Sequence, residues 1–273
     1  MSLVLATAMT PAVCASPRLF PPRETVPALL AAPREAVTKS QLVYANPNPA
    51  AYGPGPAGEV AVSVTAAVVR LGGDLLNPLV IGLEGATFAR FSFAVVTREL
   101  VNTDWVFGVP VVWWHNGHWL RFRYYHTSSH LGDEYQQRFG TEALNFSRDG
   151  IDLTAYLRPS RGWLERWGAG VYVGTLWSLN SHPEEKVVRR VRAGLEIDPS
   201  GGERWKPYGA VDVELEEGSR RGARVTGQLG IWLPQVEGRP LRLAVELLQG
   251  PSAMGQFSTK STRRMAVGLL WNP

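Results

Sequence analysis

The chain has 273 residues, a formal net charge of +4, 45% hydrophobic residues and a single cysteine, and none of its segments approaches the roughly 18 to 20 uncharged apolar residues that a membrane-crossing helix needs. Its 28 Lys and Arg residues are spread through alternating segments rather than gathered on one face or tail, which argues against nucleic acid as a partner. Helical membrane proteins and disulfide scaffolds are therefore excluded, membrane barrels are not, and the absence of a Pro/Ser-rich linker in the middle points to one domain.

The first fifteen residues carry an apolar core followed by Val13-Cys14-Ala15 before Ser16. Small residues at these positions suit a signal-peptidase site, so residues 1–15 are read as a signal peptide whose removal takes the only thiol, Cys14, with it. Residues 16–36 follow as an irregular, Pro-rich segment, and residues 37–273 are read as one β-barrel domain.

From residue 37 onward the hydrophobic period is 2, not 3.6. In 81–93, Ile81, Leu83, Ala89 and Phe91 alternate with Glu84, Arg90 and Ser92; in 208–216, Val211, Val213 and Leu215 alternate with Asp212, Glu214 and Glu216. The same alternation runs through 223–233, 241–247 and the final strand, where Met265, Val267, Leu269 and Trp271 share a face. Twelve candidate strands result, near 37–45, 59–71, 76–96, 103–114, 118–130, 143–157, 166–178, 186–198, 206–217, 222–234, 239–249 and 260–271. Ten strands with an N-terminal plug is the alternative, because "EVAVSVTAAVVRL" also suits a short helix.

In a soluble sandwich the apolar faces would pack on one another, whereas in an outer-membrane barrel they face lipid and the polar faces line the interior. The segment lengths match tilted membrane crossings. Aromatic residues, among them Trp105, Trp113, Trp114, Trp119, Tyr124, Tyr125, Trp177 and Trp271, gather near strand ends as interfacial girdles do. Short connections ("GGD" at 72, "NG" at 116, "EG" at 237) alternate with long ones at 46, 131 and 250. The expected fold class is thus an all-β, antiparallel outer-membrane barrel, with outer-membrane lipids and the barrel-assembly machinery as partners. On this count Arg121, Arg123, Arg190, Arg192, Arg224 and Arg242 face Glu196, Asp212, Glu214, Glu216 and Glu246 across a narrow lumen that they mostly fill. A narrow solute channel, and a secreted soluble barrel with its faces inverted around an apolar ligand, are the alternatives.

The stretch "RYYHTSSHLGDEY", 123–135, ends one alternating run. Continuing the alternation puts His126 and Ser128 on the apolar, outward face, together with His130. If Phe122 faces Ile151 on the next strand, the antiparallel register sets Ser128 opposite Asn145 and His126 opposite Ser147. Ser128 would then be a nucleophile, His126 a general base and Asn145 its orienting group, with His130 as the other candidate base.

That arrangement resembles the outer-membrane phospholipases A, twelve-stranded barrels with an outward His-x-Ser pair and a cross-strand Asn. The resemblance implies lipid acyl hydrolysis, reliance on calcium and a homodimer, with His126, Ser128 and Asn145 in the matching roles. Where those enzymes carry Asn-Gly after the serine, this chain has Ser129-His130. Asp133 and Glu134 are the calcium candidates, although calcium takes six to eight oxygens. Over most of its length, through "FPPRETVPALLAAPREA", "RYYHTSSHLGDEY", "NFSRD" and "GPSAMGQF", the chain resembles the bacterial family called domain of unknown function 1207, which implies an exported barrel without an assigned activity.

Overall fold

The computed structural model describes residues 17–47, 55–72, 77–93, 96, 98–183, 189–199, 205–234 and 241–272. The expected signal peptide, 1–15, lies outside the described residues. A two-residue strand, β1 (Arg18–Leu19), precedes twelve long ones: β2 (Thr38–Pro47), β3 (Gly55–Leu71), β4 (Leu79–Ser92), β5 (Leu100–His115), β6 (His118–Leu131), β7 (Phe146–Leu157), β8 (Ala169–His182), β9 (Arg189–Ile197), β10 (Lys206–Glu216), β11 (Arg224–Trp232), β12 (Leu241–Pro251) and β13 (Ser261–Trp271). Each long strand pairs antiparallel with its neighbours in sequence, and β13 pairs with β2, so the sheet closes on itself and leaves no open edge. The fold is a closed twelve-stranded antiparallel barrel of the outer-membrane type. "EVAVSVTAAVVRL" is part of β3, so the ten-strand alternative is overturned.

The period of 2 sets the faces as expected. Along β10, Asp212 and Glu214 are buried inside while Val211 and Leu215 are exposed outside. Charge in and hydrocarbon out also rules out the inverted, apolar-lined barrel. The Asn116-Gly117 turn has positive φ at both residues (50° and 83°), the geometry a two-residue hairpin prefers, and it fixes β5 against β6. Not every aromatic joins the outer girdle: Trp114, Trp119 and Tyr125 point inward. Trp119 stacks on Tyr156 with centroids 4.9 Å apart, and Tyr156 stacks on Tyr172 at 6.3 Å. Those tyrosines lie across the inward glycines Gly170 and Gly194, where an added Cβ would meet ring atoms within about 2 Å, so glycine makes room for the stack.

The Pro-rich segment is a plug inside the twelve strands. Leu29 and Ala32 pack with Val112, Trp119, Tyr156 and Tyr172; Leu30, Ala31 and Val37 pack with Tyr208, Ala210, Ala244 and Leu270 on the opposite wall. An irregular backbone has no ladder of its own, so its polar groups need partners from the wall. Trp114 Nε1 donates to Thr25 O (2.8 Å), Leu30 N donates to Glu196 Oε1 (2.7 Å) and Arg121 Nη1 donates to Pro27 O (3.0 Å). Glu35 accepts a two-pronged bond from Arg121, at 2.7 and 2.8 Å. Burial would raise the Glu35 carboxyl, but Arg121, Arg123 and Arg192 hold it at about 2, below its ordinary 4.5. The predicted interior charges are present, and they pair with more acids than expected: Arg123 bonds Glu84 (3.0 Å) and Asp152 (2.7 Å), neither of which was matched to it from sequence. Glu196 serves the plug and Tyr156 OH instead of an arginine.

Candidate functional site

β6 rises from the Asn116-Gly117 turn to a long connection, residues 132–145, so its last residues sit at the long-loop end of the barrel. There the outward positions change from hydrocarbon to polar groups: Leu120, Phe122 and Tyr124 are followed by His126, Ser128 and His130. The inward neighbour Ser129 is almost fully buried in a different set of bonds. It donates to Asp104 and accepts from Asn102 Nδ2 (3.1 Å) and Gln256 N (3.0 Å), tying the wall to the 252–258 loop.

The β6–β7 register differs from the sequence expectation by two residues. Phe122 faces Leu153 and Tyr124 faces Ile151, which places His126 opposite Asp149 and Ser128 opposite Ser147. Asn145 precedes β7, is exposed and has no cross-strand position against β6, so the structure does not bring it to His126 and Ser128. A shift of two keeps every residue on its own face while changing its partner, and Asp149 is the residue the sequence reading missed. It sits where the expected alignment had left Ser147.

His126 Nδ1 lies 2.8 Å from Asp149 Oδ1, and Tyr124 OH donates to the same oxygen at 3.0 Å. A carboxylate only accepts, so Nδ1 carries a proton, and in the neutral imidazole the lone pair is then on Nε2. That tautomer is the one a general base requires. The pair is neither buried nor fully exposed, with side-chain exposures of 45% for His126 and 28% for Asp149. Asn180 on β8, opposite Asp149 at a bulge, adds a further bond to the carboxylate. Ser128 lies two residues along the same face, about 6.7 Å away by strand rise, with Trp105 of β5 opposite it on one side and Ser147 on the other. Phe107 lies opposite His126. The polar group is thus bounded on the β5 side by exposed aromatic surface. His130 shares the outward face, but its β5 neighbour is Thr103 and the β6–β7 pairing ends at Ser129, so it lacks the carboxylate that orients His126.

The calcium candidates lie on the connection between β6 and β7. Asp133 and Glu134 are exposed on the first turn of a short helix, Asp133–Phe139, whose fixed point is the fully buried Tyr135. Among the described residues no three metal-ligating side chains cluster, and two carboxylates fall short of the oxygens calcium takes.

A family model described as a protein of unknown function (DUF1207) matches residues 4–272. No curated protein matches the sequence. Among solved structures, the outer membrane phospholipase A from Escherichia coli superposes with a TM-score of 0.58 at 12% identity, covering 86% of this chain and 90% of that one. The Salmonella typhi outer membrane phospholipase, a dimer with bound calcium, gives 0.57 at 12% identity over the same shares. A KdgM porin in complex with disordered oligogalacturonate covers 87% of this chain and 99% of its own at a TM-score of 0.48 and 8% identity. At these identities the likeness to the two phospholipases establishes the barrel fold and leaves the chemistry to the residues.

Proposed function

For this chain, which belongs to the DUF1207 family, we propose an outer-membrane lipid acyl-ester hydrolase in which Ser128 is the nucleophile, His126 the general base and Asp149 the group that orients and charges-balances the imidazole. The observation that carries the reading is the outward bond between His126 Nδ1 and Asp149 (2.8 Å) beside a serine on the same face. Nothing in a barrel's stability calls for a histidine oriented by a carboxylate at the edge of its hydrocarbon face, where polar groups are costly unless paired.

The location belongs to the same proposal. Leu229, Val62 and Leu247 are more than half exposed on the outward face, and a continuous band of such side chains is hydrated only at a cost, whereas lipid accepts it. With both ends of the strand run at the Asn116-Gly117 end, and that end taken as periplasmic as in even-stranded barrels, the site lies at the outer leaflet. A chain of this kind enters the outer membrane through the barrel-assembly machinery.

In the proposed reaction Ser128 Oγ attacks the ester carbonyl while its proton passes to His126 Nε2. Collapse of the tetrahedral species breaks the ester bond, and the imidazolium returns the proton to the leaving alcohol of the lipid. Water then attacks the acyl-serine, giving its proton to His126, and the fatty acid leaves as the serine regains its hydrogen. Asp149 stays ionised throughout and stabilises the imidazolium. The Salmonella protein is a dimer with bound calcium; neither is assigned to residues here, so the assay is run with and without calcium and on both monomeric and cross-linked protein.

The test is fatty-acid release from phospholipid micelles or vesicles by the refolded full chain. Ser128→Ala and His126→Ala are expected to abolish release, since removing either member stops the same step, and Asp149→Asn to reduce it by about 10³- to 10⁴-fold through the wrong tautomer. Wild-type protein that releases no fatty acid under any of these conditions, or activity surviving Ser128→Ala, would overturn the assignment.

A further inference from the structure

At the long-loop end of the lumen, beneath the 252–260 loop, lies a cavity of about 120 Å³. Among the described residues seven arginines and three carboxylates line it. Exposed Arg221 and Thr259 stand at its mouth, while Arg34, held by Asp104 and by Ala253 O (2.8 Å), belongs to the plug that ends it below. The cavity is a blind vestibule. Glu84, Asp152 and Asp212, which balance part of its charge, lie behind the wall of arginines and do not line it.

The ion pairs here share a carboxylate as those at the plug do, but they stand beside an open space. At the plug Arg121 grips Glu35 with both of its terminal nitrogens, and Arg123 (3.7 Å) and Arg192 (3.8 Å) lie within ion-pair reach of the same carboxylate. In the vestibule one carboxylate, Glu214, is shared by Arg224 Nη2 (2.7 Å), Arg192 Nη2 (2.9 Å) and Arg190 Nη1 (3.5 Å). Three guanidiniums bring far more N–H donors than a carboxylate can accept. Arg192 Nη1 and the Nε atoms of Arg190 and Arg224 are buried and make no hydrogen bond among the described residues, although Arg192 Nη1 has Glu35 and Asp152 at 3.8 Å and Arg192 Nε has Asp212 at 3.3 Å. Tyr125 OH accepts one bond from Arg190 (2.9 Å) and completes the rim. What sets the vestibule apart is that its guanidiniums converge beside an open space, seven arginines to three carboxylates on its lining, which is how proteins hold a multivalent oxyanion.

We propose that this vestibule binds a phosphate-bearing anion, entering from the long-loop end and not passed through the barrel. Phosphate is favoured over a carboxylate because its tetrahedral oxygens can take donors from several guanidiniums at once, while the planar carboxylate role is already filled by Glu214. The lumen wall separates this site from the outward His126 and Ser128, and the inference does not depend on the hydrolase reading.

The experiment is calorimetric titration of the full chain, in non-ionic detergent at constant ionic strength, with inorganic phosphate and with the phosphate monoester glycerol 3-phosphate, which stands for a headgroup fragment. Acetate is the carboxylate control. Saturable binding of at least one phosphate probe is expected, with the tighter of the two identifying the free ion or the ester as the better fit, and with acetate at least tenfold weaker. Arg192→Gln should weaken binding at least tenfold. Because that variant disturbs a buried network, Arg221→Gln at the exposed mouth is the second test and should weaken binding about two- to fivefold with the fold retained. Ser128→Ala should leave binding unchanged. No saturable binding, acetate binding as tight as phosphate, or affinity within error of wild type in Arg221→Gln and in any folded Arg192→Gln would overturn the proposal.

Discussion

On β10, Asp212 and Glu214 point into the lumen, each held by guanidiniums, whereas Val211, Val213 and Leu215, one residue away in every case, point outward and touch no opposite wall. The same contrast runs round the barrel. Inside, polar groups outnumber what a hydrocarbon core would tolerate because an irregular plug has to be hydrogen-bonded along its length. Outside, the strands supply all their own backbone bonds and the side chains are free to be uniformly apolar. Against that outer uniformity the group around His126 stands out: it keeps a carboxylate, an imidazole and a serine where most outward positions carry Leu, Val, Phe or Trp. The comparison teaches where to look for function in such a wall. A charge inside is the ordinary state of the lumen, and a charge outside needs a reason.

The comparison breaks first, and most heavily, at Arg121. Its removal leaves Glu35 and Asp152 buried with a charge too few, so Arg121→Ala should cost about 3 to 5 kcal/mol, read as a shift in urea unfolding of the refolded barrel in vesicles. A loss below about 1 kcal/mol would mean that water reaches the lumen freely and the plug is loosely held.

Single substitutions on the two faces sharpen it further. Leu243→Arg, on the outward face, should cost about 2 to 4 kcal/mol if it lies near the bilayer midplane. Gln228→Ala, inside, should cost about 1 to 3 kcal/mol, because Tyr208 OH (2.8 Å), Arg242 (3.1 Å) and Glu246 (3.1 Å) all bond that one amide. The two are compared in the same vesicle unfolding assay. Equal indifference at both positions would contradict the assignment of faces.

Much of this was legible in the sequence. Alternation alone places Asp212 and Glu214 inside and Val211, Val213 and Leu215 outside, because a strand offers only two faces. It also places His126 and Ser128 outward. What alternation cannot give is register: a slip of two residues preserves both faces, and the fourteen-residue connection between β6 and β7 has no tight turn to fix it, so Asn145 and Asp149 were equally compatible with the pattern. By contrast, the Asn116-Gly117 turn does fix β5 on β6. In sequence the plug reads only as irregular, since a segment bonded to a wall rather than to itself has no period to detect. For that reason Glu35 was not matched with Arg121, nor Leu29 and Leu30 with the core. Trp114, Trp119 and Tyr125 were placed in the outer girdle from their position near strand ends, whereas the faces on which they lie turn them inward.

The central claim, a reactive serine on the outward face set up by the His126–Asp149 pair, is tested most directly by covalent labelling. The refolded full chain is treated with a long-chain fluorophosphonate, and the modified residue is located by mass spectrometry of its peptides. The account predicts one adduct on Ser128, absent in His126→Ala and strongly slowed in Asp149→Asn. An unlabelled protein, or an adduct that forms on Ser128 at the same rate in His126→Ala, would contradict it.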